Sequence, residues 1–297
     1  MFKVDVAINI YGKPYQTAVA LFSLLRHSGT RIDKIYFIQE RRQPNRTEAK
    51  CFGLLKNILE ERIIPYVPEF YLGVVPIPQI LFPLIQVRSV RHAIRYQYAW
   101  EHTDKKFLFI THNDVLYRSD IVGHFISNIG DNIGIGTIGQ CWNCSASMAN
   151  LCDGDKYPSF RPGHQEFQQL TKSFPPSRRI FEKPGKGKVV WPLPECRLNE
   201  WTCLINLELA GPITAPLGKA APFGLMRQDT GTKWFLDVHA MGFLAKNIDI
   251  SAYAEHDWAN RTGGGGHSTL FDQNQYRSAE MIAKSVLETD YPDQWRP

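Results

Sequence analysis

No membrane span is expected: of the uncharged stretches that reach the roughly 18 residues a span needs, residues 132–152 are rich in polar side chains, and the most apolar stretch, residues 73–87, is broken by three prolines. The opening residues, MFKVDVAINIYG, lack the basic start, long apolar centre and small-residue cleavage site of a signal peptide, and read as a strand. Strong charge of either sign is missing too. The net charge of +5 suits an anionic substrate or an acidic membrane surface, and is too mild to indicate a nucleic-acid partner. Cysteine is scarce, with six in 297 residues, so no disulfide framework is expected. A glycine-rich basic loop after the first strand is also absent, since Tyr11-Gly12-Lys13 is short. A cytoplasmic location is expected, with loose attachment to the inner face of a membrane compatible with the charge.

What the sequence does contain is an alternation of strands and helices. Val4–Ile10 is an apolar strand, and Pro14 is suited to the first position of the helix that follows. Ala18, Leu21, Phe22 and Leu25 share one helical face, and Gly29 stops it. Lys34–Ile38 is the second strand and runs into Gln39-Glu40-Arg41. Asn45 and Glu48 have capping-box spacing ahead of a helix carrying Phe52, Leu55 and Leu59. Ile63–Val67 is a third strand, placed at an edge or strand end by Pro65. Ser89–Glu101 reads as a helix and Phe107–Thr111 as a buried central strand; Asp120 then opens another helix before the strand Ile133–Ile138. This order predicts an α/β fold, with a mostly parallel sheet and helices on both faces.

The central strand ends abruptly in His112-Asn113-Asp114. Ligands of open α/β sheets sit beyond the carboxyl ends of the strands. Three side chains able to meet a metal or phosphate at such a place mark a candidate site, with an ordinary Asn/Asp turn as the alternative.

In order and spacing, these residues resemble the nucleotide-binding half of glycosyltransferases with the A-type (GT-A, Rossmann-like) fold, close to family-two-like nucleotide-sugar transferases. Such enzymes have a first strand ending in a Tyr- or Asn-containing turn and a second ending in an acid. A helix with Ala-Arg-Asn and a strand ending in Asp-x-Asp follow. Here Ile10-Tyr11, Glu40, Ile94-Arg95-Tyr96 and His112-Asn113-Asp114 take those places, the last departing from the family motif at its first position. The resemblance implies one domain, with residues 1–140 as the nucleotide-sugar half and 141–297 as an acceptor-binding and catalytic extension.

It also implies roles. Tyr11 stacks on the base, Glu40 accepts ribose hydroxyls, and Arg95 supports the nucleotide loop or phosphate. Asp114 ligates Mn2+ or Mg2+, hard ions that take carboxylate and phosphate oxygens. His112 bonds a ribose hydroxyl or ligates Mn2+, and Asn113 shapes the turn. For Tyr11, Glu40 and Arg95, ordinary loop or helix-surface positions remain open.

The middle of the chain changes character. GQCWNCSASMANLC brings Cys141, Cys144 and Cys152 together. Free buried thiols are the expectation, with a zinc set completed by Cys196 and Cys203 as the lesser alternative. The resemblance places Trp142 against a donor or acceptor sugar. Residues 171–188, rich in Pro, Gly and basic side chains, read as a long loop.

In the last third, Leu198–Ala210 reads as a core element containing a strand. Asp229 precedes a helix closed by Gly242, and Ile248–Tyr253 reads as a further strand. In inverting relatives a carboxylate at this helix start is the base that takes the acceptor proton. Asp229 has that position without the usual acidic partner, Gln228 standing before it. An ordinary helix cap is the alternative, and Asp237 and Glu200 are reserve bases. His256, and His267 after four glycines, are candidates to meet the metal or diphosphate. Gln273–Leu287 reads as an amphipathic helix, packed on the body or on an acidic membrane.

The sequence as a whole therefore points to a metal-dependent glycosyltransferase. Its partners would be a nucleotide-sugar donor and a glycan or lipid-linked saccharide acceptor, with inversion slightly favoured. A sugar nucleotidyltransferase and a non-catalytic nucleotide-sugar or glycan binder are the alternatives.

Overall fold

The structure, a computed structural model, describes residues 2–44, 49–72, 75, 77–175, 191–193, 196–227, 229–260 and 272–296. The central feature is a seven-stranded sheet in the order β3-β2-β1-β4-β7-β6-β8. Its strands are β1 (Val4–Ile10), β2 (Ile32–Gln39), β3 (Ile63–Tyr66), β4 (Phe107–Thr111), β6 (Gly134–Ile138), β7 (Leu198–Asn206) and β8 (Ala245–Asn247). β7 runs antiparallel between β4 and β6, and every other neighbouring pair is parallel. The expected α/β class with a mostly parallel sheet is the one found. Because β7 sits between β4 and β6, both parts of the chain contribute to one sheet.

β1 is buried throughout, as VDVAINI implies for a strand covered on both faces. Val4, Val6, Ile8 and Ile10 pack with the first helix, α1 (Pro14–Ser28), while Ala7 joins the core on the opposite face. β4 divides in the same way, with Phe107 and Phe109 on one face and Leu108 and Ile110 on the other. The parallel strands β1, β2 and β4 thus deliver Tyr11, Glu40 and His112 to one edge of the sheet.

A second, two-stranded sheet pairs β5 (Val115–Tyr117) with β9 (Ala254–His256), and its register sets Val115 opposite His256. Asp257 N donates to Asp114 O at 2.9 Å, extending this link past the strand ends. The C-terminal helix Gln273–Asp290 packs along α1, which answers where its apolar face goes. Asp120 caps the helix Ile121–Asn128 as expected, accepting from Gly123 N at 2.9 Å.

Two expected elements differ. Ser89–Glu101 is two short helices, Arg88–His92 and Gln97–His102, separated by Tyr96 at φ 65°. Arg95 forms a backbone bridge to Gly224, and that pairing interrupts the helix. Ile248–Tyr253 is not a strand; Ser251 N and Oγ both bond the Asp249 carboxylate, at 2.9 and 3.1 Å, and fold it into a turn. The flanking residues form β8 and β9 instead. The capping pair Asn45 and Glu48, His267, and most of 171–188 lie outside the described residues. Among the described residues no helix is long and apolar enough to cross a membrane.

Candidate functional site

The end of β4 places three ligating atoms together. Asp114 Oδ1 lies 3.3 Å from His256 Nε2 and 3.9 Å from His112 Nδ1, and the two histidine nitrogens are 3.3 Å apart. Among the described residues this is the one group of three side chains so disposed. Metal–ligand distances of about 2.0–2.2 Å separate neighbouring ligand atoms by roughly 3–3.5 Å, so the triangle is close to the size a small divalent ion requires. Asp114 Oδ1 is buried and faces only the two imidazoles, so its lone pairs point into the triangle. The donor set fits a metal. Two imidazoles and one carboxylate favour Mn2+ and its transition-metal neighbours over Mg2+, which prefers oxygen.

Each donor is supported from behind. His112 turns its other nitrogen, Nε2, toward Glu200 Oε1 at 3.5 Å. A carboxylate behind a ligating histidine is the usual orienting arrangement. His256 lies almost parallel to the Trp201 ring, with centroids 5.2 Å apart. Asp114 Oδ2 accepts from Lys13 Nζ at 2.5 Å, and both side chains are nearly sealed from solvent. Burial alone raises the Asp114 carboxyl; the Lys13 ammonium, then His256, outweigh it and hold the group well below the usual carboxylate range.

Asn113 has a local task. Its Nδ2 donates to Gly12 O at 2.9 Å and Thr17 Oγ1 at 3.1 Å, tying the end of β4 to the start of α1.

A second cluster lies at the ends of β1 and β2. The Tyr11 ring rests against Tyr71, with centroids 5.7 Å apart. Glu40 is buried; its Oε1 accepts from Asn9 Nδ2 at 3.0 Å, and its Oε2 has no partner. Burial raises the Glu40 carboxyl above its ordinary value, against the opposing pull of Asn9 and the nearby Arg95. Arg95 Nη1 reaches Thr230 Oγ1 at 3.4 Å, and its buried Nε has no partner. Glu40 and Arg95 both act on the Tyr71 phenol, whose pKa burial pushes up. The structure thus gathers Tyr11, Glu40 and Arg95, and adds Tyr71, which the sequence reading passed over.

The acids of the last third form a third group around Arg197. Arg197 Nη2 lies 2.9 Å from Asp229 Oδ2 and its Nε 3.7 Å from Glu200 Oε2. Asp229 Oδ1 accepts from Thr230 N at 2.8 Å. Burial raises Glu200, but His112 and the charge of Arg197 overcome it and hold the group below the usual carboxylate range. Asp237, the other reserve base, accepts from Ala221 N at 3.0 Å and pairs with Lys233, which engages it in the local structure. Trp142 stands on the turn Cys141–Asn143 after β6 with 64% of its surface exposed. All six cysteines are free thiols. Cys144 and Cys196 hydrogen bond each other, and Cys203 is buried on β7.

No protein-family model and no curated protein sequence matches the chain. Among solved structures it is similar to a mannosyltransferase from Pyrobaculum calidifontis in complex with GDP-Man and Mn2+. That match has a TM-score of 0.49 and 10% identity, over 98% of this chain and 71% of that one. It is similar to M. tuberculosis glucosyl-3-phosphoglycerate synthase at a TM-score of 0.44 and 10% identity, covering 97% and 80%. It is also similar to mouse xyloside xylosyltransferase 1, apo form, at a TM-score of 0.42 and 14% identity, covering 84% and 86%.

Proposed function

We propose that the chain is a metal-dependent glycosyltransferase that moves a sugar from a nucleotide-sugar donor to a glycan or lipid-linked saccharide. One observation carries this reading: three ligating atoms converge at the carboxyl end of β4, next to strand ends that hold a buried acid with a free oxygen. In this reading Tyr11 covers the base, and Glu40 Oε2 accepts a ribose hydroxyl or base N–H. Arg95 offers its buried Nε at the same place. His112, Asp114 and His256 hold Mn2+, which, when bound, stabilises the charge of the departing diphosphate.

The remaining residues orient and receive. Glu200 fixes the ring of His112, and a carboxylate so engaged and held below its ordinary range is a weaker proton acceptor. Asp229 is therefore the candidate base for the acceptor hydroxyl, with inversion at the sugar carbon. Both of its oxygens are already engaged, by Arg197 and Thr230 N. That engagement is the observation favouring the second reading, a non-catalytic nucleotide-sugar binder.

Thermal melting tests the proposal. Wild type, Asp114→Asn and His256→Gln are melted with UDP-, GDP-, dTDP- and CMP-sugars, in Mn2+ or in EDTA. A ligand bound only by the folded protein raises the melting point by mass action. At least one donor should stabilise the wild type in Mn2+ and not in EDTA, and both variants should lose the effect. A shift that survives EDTA and both substitutions rejects the metal assignment.

A further inference from the structure

We propose that Lys13 is a built-in cation that makes metal loading depend on the nucleotide, so that a divalent ion binds tightly only together with a nucleoside diphosphate. The proposal rests on reading His112, Asp114 and His256 as a metal centre, and assigns Lys13 a regulatory place within it.

The turn carrying Lys13 is built for this contact. Gly12 at φ 66° and Lys13 at φ 57° are both left-handed, a strained conformation for a lysine. Several contacts hold it there. Gly12 N donates to Gln43 Oε1 at 2.7 Å, and Lys13 N donates to Tyr276 OH at 2.8 Å. Thr17 Oγ1 donates to Lys13 O at 2.7 Å, and Asn113 Nδ2 to Gly12 O at 2.9 Å. The start of α1 already has its anion: Glu280 accepts from Tyr15 N at 2.9 Å and from Gln16 N at 3.3 Å. The C-terminal helix, through Tyr276 and Glu280, therefore clamps the turn and aims the lysine at Asp114.

The consequence is electrostatic. Lys13 cancels the charge of Asp114 before any metal arrives, and imidazoles that ligate a metal are neutral. A divalent ion entering the triangle finds its one ligating carboxylate already paired, and a buried ammonium a few ångströms away repels it at low dielectric. A diphosphate reverses the balance, because its oxygens can take both the ion and the ammonium. Binding free energies couple reciprocally, so the ion must tighten the nucleotide by the factor with which the nucleotide tightens the ion.

Mn2+ binding to the full chain, read from the electron paramagnetic resonance of free Mn2+, tests this. The titration is run alone and with GDP, UDP or dTDP, correcting for Mn2+–nucleotide complexes in protein-free solution. At least one nucleotide should tighten wild-type Mn2+ binding by about tenfold or more. Lys13→Met should bind Mn2+ alone about tenfold more tightly than wild type and gain little from nucleotide. Lys13→Arg, which keeps the charge, should keep the dependence. Equal wild-type affinity with and without every nucleotide overturns the proposal, and so does a Lys13→Met affinity no tighter than wild type. The wild-type comparison decides the matter without a variant if Lys13→Met does not fold. Failure of the metal reading looks different: with nucleotide present, Mn2+ then binds wild type and His256→Gln alike, or binds neither.

Discussion

Lys13 and Asp114 form an ion pair at 2.5 Å, with 4% and 6% of their side chains exposed. Asp114 thus serves two partners at once, Lys13 through one oxygen and the histidine pair through the other. Removing one member of a buried pair strands a charge and costs about 3–5 kcal/mol. Asp114→Ala and Lys13→Ala should each lose about that much stability in urea melts. The double variant should lose clearly less than the sum, since no charge is left stranded. Additive losses would mean that the two residues do not act as a pair.

Glu40 carries a cost that function explains. Its carboxyl is raised above the ordinary 4.5, chiefly by burial. The folded state then holds this proton to a higher pH than the unfolded chain does. The contribution of Glu40 to stability is greatest at low pH and falls as pH rises from 4.5 through the folded value. At neutral pH Glu40→Gln should raise stability by about 1 kcal/mol and weaken nucleotide binding, a trade-off common at active sites. Nucleotide affinity of the wild type should fall as acidification protonates the group. A variant that melts higher and binds nucleotide unchanged would remove Glu40 from the site.

Gly224 should tolerate no side chain. A Cβ there would stand 1.9 Å from Arg95 O, well inside contact distance, and the clash is with backbone. Gly224→Ala should destabilise by about 1–3 kcal/mol or more and displace Arg95, so that nucleotide protection is lost beyond the stability change. Calorimetry at a temperature where the variant is folded separates the two effects.

Asp229→Asn separates catalyst from binder. As the base, it should lower sugar transfer by about 10²–10⁴-fold while the donor-induced melting shift stays near wild type. Unchanged transfer would exclude Asp229 as the base.

The fold was largely legible because its central strands are apolar runs with sharp polar ends. Val4–Ile10 and Phe107–Thr111 were readable to the residue. The break at Arg95 was not, because the helical pattern of Ser89–Glu101 says nothing of Gly224, which reaches Arg95 from far along the chain. β9 was equally hidden: Ala254-Glu255-His256 is a strand only because β5 pairs with it. That same pairing is what places His256 beside Asp114.

In the candidate site, the resemblance to A-type enzymes pointed to Asp114, His256, Tyr11, Glu40 and Arg95, and the structure sets Asp114 beside His256, and Glu40 and Arg95 around the Tyr11–Tyr71 pair. The position of His112 was recognised, yet its two-sided setting between Asp114 and Glu200 depends on β7 pairing beside β4, a neighbour that no local pattern announces. Lys13 read as part of a short turn, because its partner Asp114 lies 101 residues away. Arg197, which joins Glu200 and Asp229, carried no signal for the same reason.

The fate of the donor distinguishes a metal-dependent transferase from a binder. Purified chain is incubated with UDP-, GDP-, dTDP- and CMP-sugars, in Mn2+ or in EDTA, and the released nucleotide and sugar are followed by NMR. A metal-dependent transferase should slowly cleave one donor class to nucleotide and free sugar in Mn2+, cleave none in EDTA, and lose this cleavage in His256→Gln. Cleavage of no donor, or cleavage indifferent to EDTA and to His256→Gln, would contradict it.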